Sequence, residues 1–149
     1  MPQQGSARRM SESKGALLTF EKRGRIHVGT INVARMLGTI NAAEFGAETI
    51  EYVTKHPGLN LLLNFEHVDY LSSVVLTELL KINKLVKETN GKLRLCAVAP
   101  SIREVFEITN LDKVFVINSD SMDTGIRRFE RALDVAAEAD AWQEPTDKG

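Results

Sequence analysis

Two adjacent serines, Ser72 and Ser73, stand between the loop Glu66-His67-Val68-Asp69-Tyr70-Leu71 and an apolar-periodic run that opens at Val74. Hydroxyls in that place have three chemistries open to them. The first is capping, in which a serine oxygen accepts a hydrogen bond from a backbone N–H that has no partner inside the helix. The second is phosphorylation, because a phosphate at a helix start meets those same N–H groups and the positive end of the helix dipole. Capping and phosphorylation are compatible on neighbouring serines. The third is nucleophilic catalysis, with His67 as base and Asp69 as orienter. It is disfavoured, since all three residues share one short loop and sequence proximity does not supply the geometry of a triad.

Other reactive residue types are sparse. His27, His56 and His67 show no metal-ligand spacing, so no metal is expected. Cys96, the single cysteine, falls inside a strand pattern and reads as a small buried residue rather than a reactive thiol. No glycine-rich phosphate loop occurs, and no cofactor is implied. The 149 residues carry 19 Lys+Arg against 20 Asp+Glu, a net charge of -1 that gives no broad attraction for nucleic acid. Apolar residues make up 43% of the chain, yet no run approaches a membrane span, and neither a signal segment nor a disulfide pair is present. A cytoplasmic, non-enzymatic protein is the expectation.

The elements that would position the serines follow from periodicity. Ala16 to Phe20 and Arg25 to Val33 read as a hairpin turning at Lys22-Arg23-Gly24. Asn41 and Glu44 form a capping-box pair ahead of a helix from Ala42 to Lys55. Leu59 to Phe65, with Leu61, Leu62 and Leu63 in succession, predicts a central strand covered on both faces. A second helix from Val74 carries Val75, Leu79, Ile82 and Val86 on one stripe, with Lys84 placed to pair with Glu88, and stops at Asn90-Gly91. Lys92 to Val98 is a strand, and Ser101 with Glu104 makes a second capping box for a helix from Ile102 to Thr109 that ends at Asn110. Val114 to Ile117 is the last strand. Met122, Ile126, Phe129, Leu133 and Ala136 stripe the last helix.

The order ββαβαβαβα predicts an α/β fold: one domain with a mixed, mostly parallel sheet, an N-terminal hairpin and about four helices packed on it. The domain is expected over 15–137, with flexible segments at 1–14 and 138–149. In such sheets, ligands gather where strands end and helices begin, here at Gly38 to Asn41, His67 to Ser73 and Ala99 to Ser101.

The segment Val68-Asp69-Tyr70-Leu71-Ser72-Ser73-Val74-Val75-Leu76 followed by Thr77-Glu78-Leu79-Leu80 resembles the signature of STAS domains of the anti-sigma-factor antagonist type. The likeness continues through Asn90 to Leu95 and through Ile102 to Val114, and in layout it covers Leu17 to Leu133. Ser72 stands where that family has an Asp, and Val74 and Val75 stand where it has a second hydroxyl and a glycine. Gly38-Thr39-Ile40-Asn41 is similar to the family's Gly-Glu-Leu-Asp with both acids made neutral. The resemblance implies phosphorylation at Ser73 and partner contacts by Asn41, Asp69, Tyr70, Ser72, Ser73 and Thr77. It implies an anti-sigma factor with serine kinase activity as partner, and a cognate serine phosphatase to restore binding. The alternative is a constitutive STAS adaptor in a signalling or transport assembly, not regulated by phosphorylation.

Overall fold

The computed structural model describes residues 17–33, 35–36 and 39–147, with side chains described as far as Ala139 except for those of residues 35–36 and 39–40. The expected flexible segment 1–14 and Gly38 of the first crossing lie outside the described residues. In chain order the elements are β1 (Leu18–Arg23), β2 (Ile26–Ile31), β3 (Arg35–Met36), α1 (Thr39–Lys55), β4 (Asn60–Asn64), β5 (Tyr70–Leu71), α2 (Ser73–Glu88), β6 (Lys92–Cys96), α3 (Pro100–Ile108), a 3-10 turn at Leu111–Lys113, β7 (Val116–Ile117) and α4 (Met122–Asp147). The main sheet has five strands in the order β1-β2-β4-β6-β7. Only β1 and β2 pair antiparallel, and the later pairs are parallel. This is the mixed α/β sheet that the alternation of strand and helix patterns predicts.

Three successive leucines in β4 decide how the layers form. Neighbouring strand residues point to opposite faces. Leu61 and Leu63 enter the main core with Phe45, Val75, Leu79, Ile82 and Phe106 of α1, α2 and α3. Leu62 enters a smaller cluster with Ile26, Val28, Cys96 and Phe129, covered by α4. A central strand apolar on both faces therefore needs helices on both sides, and the chain supplies three on one and one on the other. All four predicted stripe residues of α2 are buried. Burying each such side chain is worth about 1.5–3 kcal/mol.

Turns are set by residues that tolerate a positive φ. Arg23 pairs with Ile26, so the hairpin loop is Gly24-Arg25, and Gly24 takes φ +66. The turn falls slightly later than predicted because the ladder continues through Arg23. Asn90 at φ 66 and Asn110 at φ 63 end α2 and α3 as their residue types predict. At Gly91 space matters more than backbone angle. Its N–H donates to the Val86 carbonyl at 2.9 Å, and an added Cβ would press on the Leu59 carbonyl oxygen and lie 3.0 Å from Val86 Cγ1. That carbonyl already accepts the Lys92 N–H at 3.1 Å, where β6 begins. Gly91→Ala is expected to cost about 1–3 kcal/mol, read as a lower urea midpoint with an unchanged slope.

Several predicted details are corrected. Helix α1 begins at Thr39, so Asn41 lies within its first turn and does not cap it. Helix α3 begins at Pro100 with Ala99 in the cap position, because a proline is already set for the first helical position; Ser101 is thus inside the helix and makes no cap bond. The working serine cap is Ser121, whose Oγ accepts the Thr124 N–H at 3.3 Å at the start of α4. On α2, Lys81 pairs with Glu78 at 3.3 Å, and Lys84 forms no ion pair with Glu88 among the described residues. Helix α4 runs to Asp147, past Ala137, where the domain is expected to end.

Histidines separated in sequence meet at the end of the sheet where β4 starts. His27 Nδ1 shares a 2.7 Å hydrogen bond with the Tyr52 hydroxyl, and His56 stacks on the Tyr52 ring at 4.2 Å. Phe20 stacks on the other side of Tyr52 at 4.0 Å. Burial first, and then the charges of His56 and Lys22, lower the His27 pKa below 6.5. An unfolded chain therefore takes up this proton more readily than the folded one. Stability from His27 is full above pH 6.5 and falls as the pH drops through that value toward the lower folded pKa. The urea midpoint is expected to be lower at about pH 5.5 than at about pH 7.5, with a smaller difference in His27→Asn. An equal difference in both proteins would remove His27 as the cause.

Candidate functional site: the serine loop

The loop leaves β4 at a polar knot. Asn64 is buried at the strand end; its Nδ2 donates to Glu66 Oε1 at 3.1 Å, and its Oδ1 accepts the Glu66 N–H at 3.1 Å. The Phe65 N–H donates to the Cys96 carbonyl at 3.0 Å, and the Val68 N–H closes a turn onto the Phe65 carbonyl at 2.9 Å. Phe65, Val68 and Leu71 are buried in the main core. These anchors leave Asp69, Tyr70 and Ser73 facing outward.

A two-residue parallel ladder then fixes the loop from outside the main sheet. Strand β5 pairs with β3 through Arg35↔Tyr70 and Met36↔Leu71. The strand ahead of α1 is thereby tied to the strand ahead of α2. No sequence signal announces this ladder, because two residues are too few to show a period.

The two serines have different environments. Ser72 holds the cap position of α2 with extended backbone angles (φ -94, ψ 169), but its side chain makes no cap bond. Its Oγ is buried and has no hydrogen-bond partner among the described residues. Ser73 is the first residue of the helix and is exposed. Thr77 lies one turn further along the same exposed face, and Asn41 is half-buried near the start of α1. Tyr70 is 44% exposed and Val74 39%, giving the serine an apolar border. Val75, in contrast, is fully buried, so the bulk that replaces the family glycine fills the core and stays off the surface.

The imagined triad is not assembled. His67 Nε2 lies 3.4 Å from Glu66 Oε2, and no hydrogen bond joins His67, Asp69 and Ser73 among the described residues. Cys96 is buried, with its pKa pushed up to about 12 by burial and by the charges of Glu66 and Asp120, as suits a packing residue. Among the described residues no cluster of three or more His, Cys, Asp or Glu could hold a metal ion, and no helix is long and apolar enough to cross a membrane. The first turn of α2 contains no acidic residue, which leaves the positive end of its dipole uncompensated beside Ser73.

Relatives share this layout. The family model described as STAS domain matches residues 19–125. A Bordetella bronchiseptica protein, BtrV, named as a candidate anti-sigma factor antagonist, is 31% identical over 98 residues, covering 66% of this chain and 83% of the relative. The fold matches the anti-sigma factor antagonist SpoIIAA in its unphosphorylated form with a TM-score of 0.64 at 16% identity, covering 76% of this chain and 96% of that one. It matches the Bacillus cell fate determinant SpoIIAA in its phosphorylated form with a TM-score of 0.58 at 16% identity, covering 74% and 97%. With the serine loop at the start of α2 and the family model matching from β1 to the first residues of α4, the chain belongs to the STAS domain family.

Proposed function

We propose that this protein is an anti-sigma-factor antagonist, a cytoplasmic, non-enzymatic binding switch controlled by phosphorylation of Ser73. One observation carries the choice of residue: Ser73 is exposed on the first turn of α2, whereas the Ser72 oxygen is buried. A kinase can reach only the first of these without unfolding the loop. The unphosphorylated surface of Asp69, Tyr70, Ser73 and Thr77, extended toward Asn41, binds an anti-sigma factor that is also the serine kinase, and the sigma factor is released. Ser72 supports this surface from beneath, and its hydroxyl does not touch the partner. A phosphate on Ser73 adds about -1.5 to -2 charges to a face shaped for a neutral hydroxyl and drives the complex apart. A serine phosphatase resets the switch. ATP and its metal ion belong to the kinase.

That BtrV is named for antagonism and SpoIIAA is known in both phosphorylation states supports the reading. The experiment is incubation with the anti-sigma factor kinase and ATP, followed by mapping of the phosphate by mass spectrometry. Phosphate on Ser73 is expected. Phosphate on another residue, or none, would overturn the assignment and favour a constitutive adaptor, a reading that the replacement of the family's second hydroxyl by exposed Val74 keeps in play.

A further inference from the structure

The main sheet ends unevenly at its β7 edge. β7 meets β6 only through Arg94↔Val116 and Leu95↔Ile117, whereas β6 is paired on its other side from Lys92 onward. Below Val116 the outer edge of Lys92 and Leu93 therefore has no neighbouring strand. The last turns of α2 close one side of this notch, and α4 closes the other with Phe129 and Ala132, leaving a cavity of about 500 Å³. It lies at the opposite end of the sheet from the serine loop. From Ser73 to Lys87 along α2 is about 21 Å at the usual helical rise.

Charge in the notch is one-sided. Lys87, Lys92 and Arg94 line it, and no carboxylate does. Arg25 is paired with Glu130 and Asp134, Arg103 with Glu107, and Arg128 with Asp120, while Arg127 and Arg131, which have no ion pair among the described residues, are exposed to solvent. Arg94 is half-buried and has no ion pair among the described residues; its guanidinium lies over the Phe129 ring, 5.4 Å from the centroid. Burial, and then the like charge of Arg128, lower its pKa. A partly desolvated cation with no counter-ion is costly to keep, and an incoming anion would recover that cost. The Asn83 side chain, buried on α2, adds an amide to the lining. Val114 and Val116, 41% and 46% exposed, supply an apolar wall.

We propose that this notch binds an organic phosphate, its headgroup among Lys87, Lys92 and Arg94 and its apolar body against Val114 and Val116. Three cations lining one notch without a carboxylate match a dianion better than a carboxylate ligand, which neutralises one charge. The volume suits a small molecule. The site is separate from Ser73 and does not rest on the proposed switch.

The test is a titration of the full chain with phenyl phosphate, followed by amide chemical shifts, with inorganic phosphate and benzoate as comparators. Saturable shifts confined to the end of α2, the start of β6 and β7 are expected, with both comparators weaker. Arg94→Gln is expected to weaken binding about tenfold or more, and exposed Lys92→Gln about threefold. The second variant keeps the test decisive if loss of the Arg94–Phe129 contact disturbs folding. Shifts spread over surface lysines elsewhere, binding that does not saturate, comparators that bind as tightly, or affinity unchanged in both variants would each overturn the proposal.

Discussion

Ser73→Asp is expected to weaken binding of the anti-sigma factor at least about 30-fold, while Ser73→Ala binds as tightly as the original protein. Placing one unpaired charge within a contact surface costs about 2–5 kcal/mol when the partner offers no counter-charge, and tenfold in affinity corresponds to about 1.4 kcal/mol. Loss of a single exposed hydroxyl costs far less, because water replaces whatever bond the Ser73 hydroxyl makes. Ser73→Ala should keep the original urea midpoint, since the residue is exposed and its neighbours Leu71 and Val75 carry the packing, while Ser73→Asp should keep or slightly raise it through the α2 dipole. Calorimetric titration of the two variants with the partner checks the expectation. Equal affinity for both would remove Ser73 from the contact surface. The same substitutions at Ser72 should behave differently. Ser72→Ala deletes a buried oxygen that has no hydrogen-bond partner among the described residues and should be neutral or stabilising, whereas Ser72→Asp buries a charge and should destabilise the fold.

Phe129→Ala has the largest expected effect on stability, about 3–5 kcal/mol. The side chain is 1% exposed and is the only residue of α4 among the five buried members of the smaller cluster. Removing it leaves α4 held by the partly buried Met122, Ile126 and Leu133, and by ion pairs from exposed arginines such as Arg25 with Asp134. Exposed pairs contribute little and do not replace a core aromatic. Cys96 reports the change directly, because it is fully buried beneath α4 and reacts only when that layer opens. A loss of 3 kcal/mol corresponds to roughly a 100-fold faster reaction with a thiol reagent when opening is fast. Labelling at the original rate would show that the sheet retains its cover without Phe129.

The location of the serine loop is legible in the sequence, and its geometry is not. Val68, Asp69, Tyr70, Leu71, Ser72 and Ser73 were readable as a strand-to-helix crossing because the apolar run before them and the helical stripe after them are local patterns. Which hydroxyl faces outward depends on Leu71 and Val75 both turning into the core on either side of Ser72, and no spacing rule contains that. The capping boxes failed for a related reason. Asn41 and Ser101 have the right residue types, yet Pro100 starts its helix earlier and α1 begins at Thr39, while Ser121 caps α4 without the acidic partner the rule looks for.

The layers of this protein follow from local patterns in its residues. Leu61, Leu62 and Leu63 require cover on both faces of β4, the stripes of α2 and α4 provide it, and the order of elements makes the sheet largely parallel. Periodicity is a property of neighbouring residues and survives without coordinates. What distant residues do together emerges from the folded chain: β3 beside β5 at the serine loop, His27 against Tyr52 and His56, and Lys87, Lys92 and Arg94 around a notch left by a short β7. Each of these depends on strand register and on where one element stops short of another. Those outcomes are set by the packing of the whole chain, and a local pattern carries no record of them.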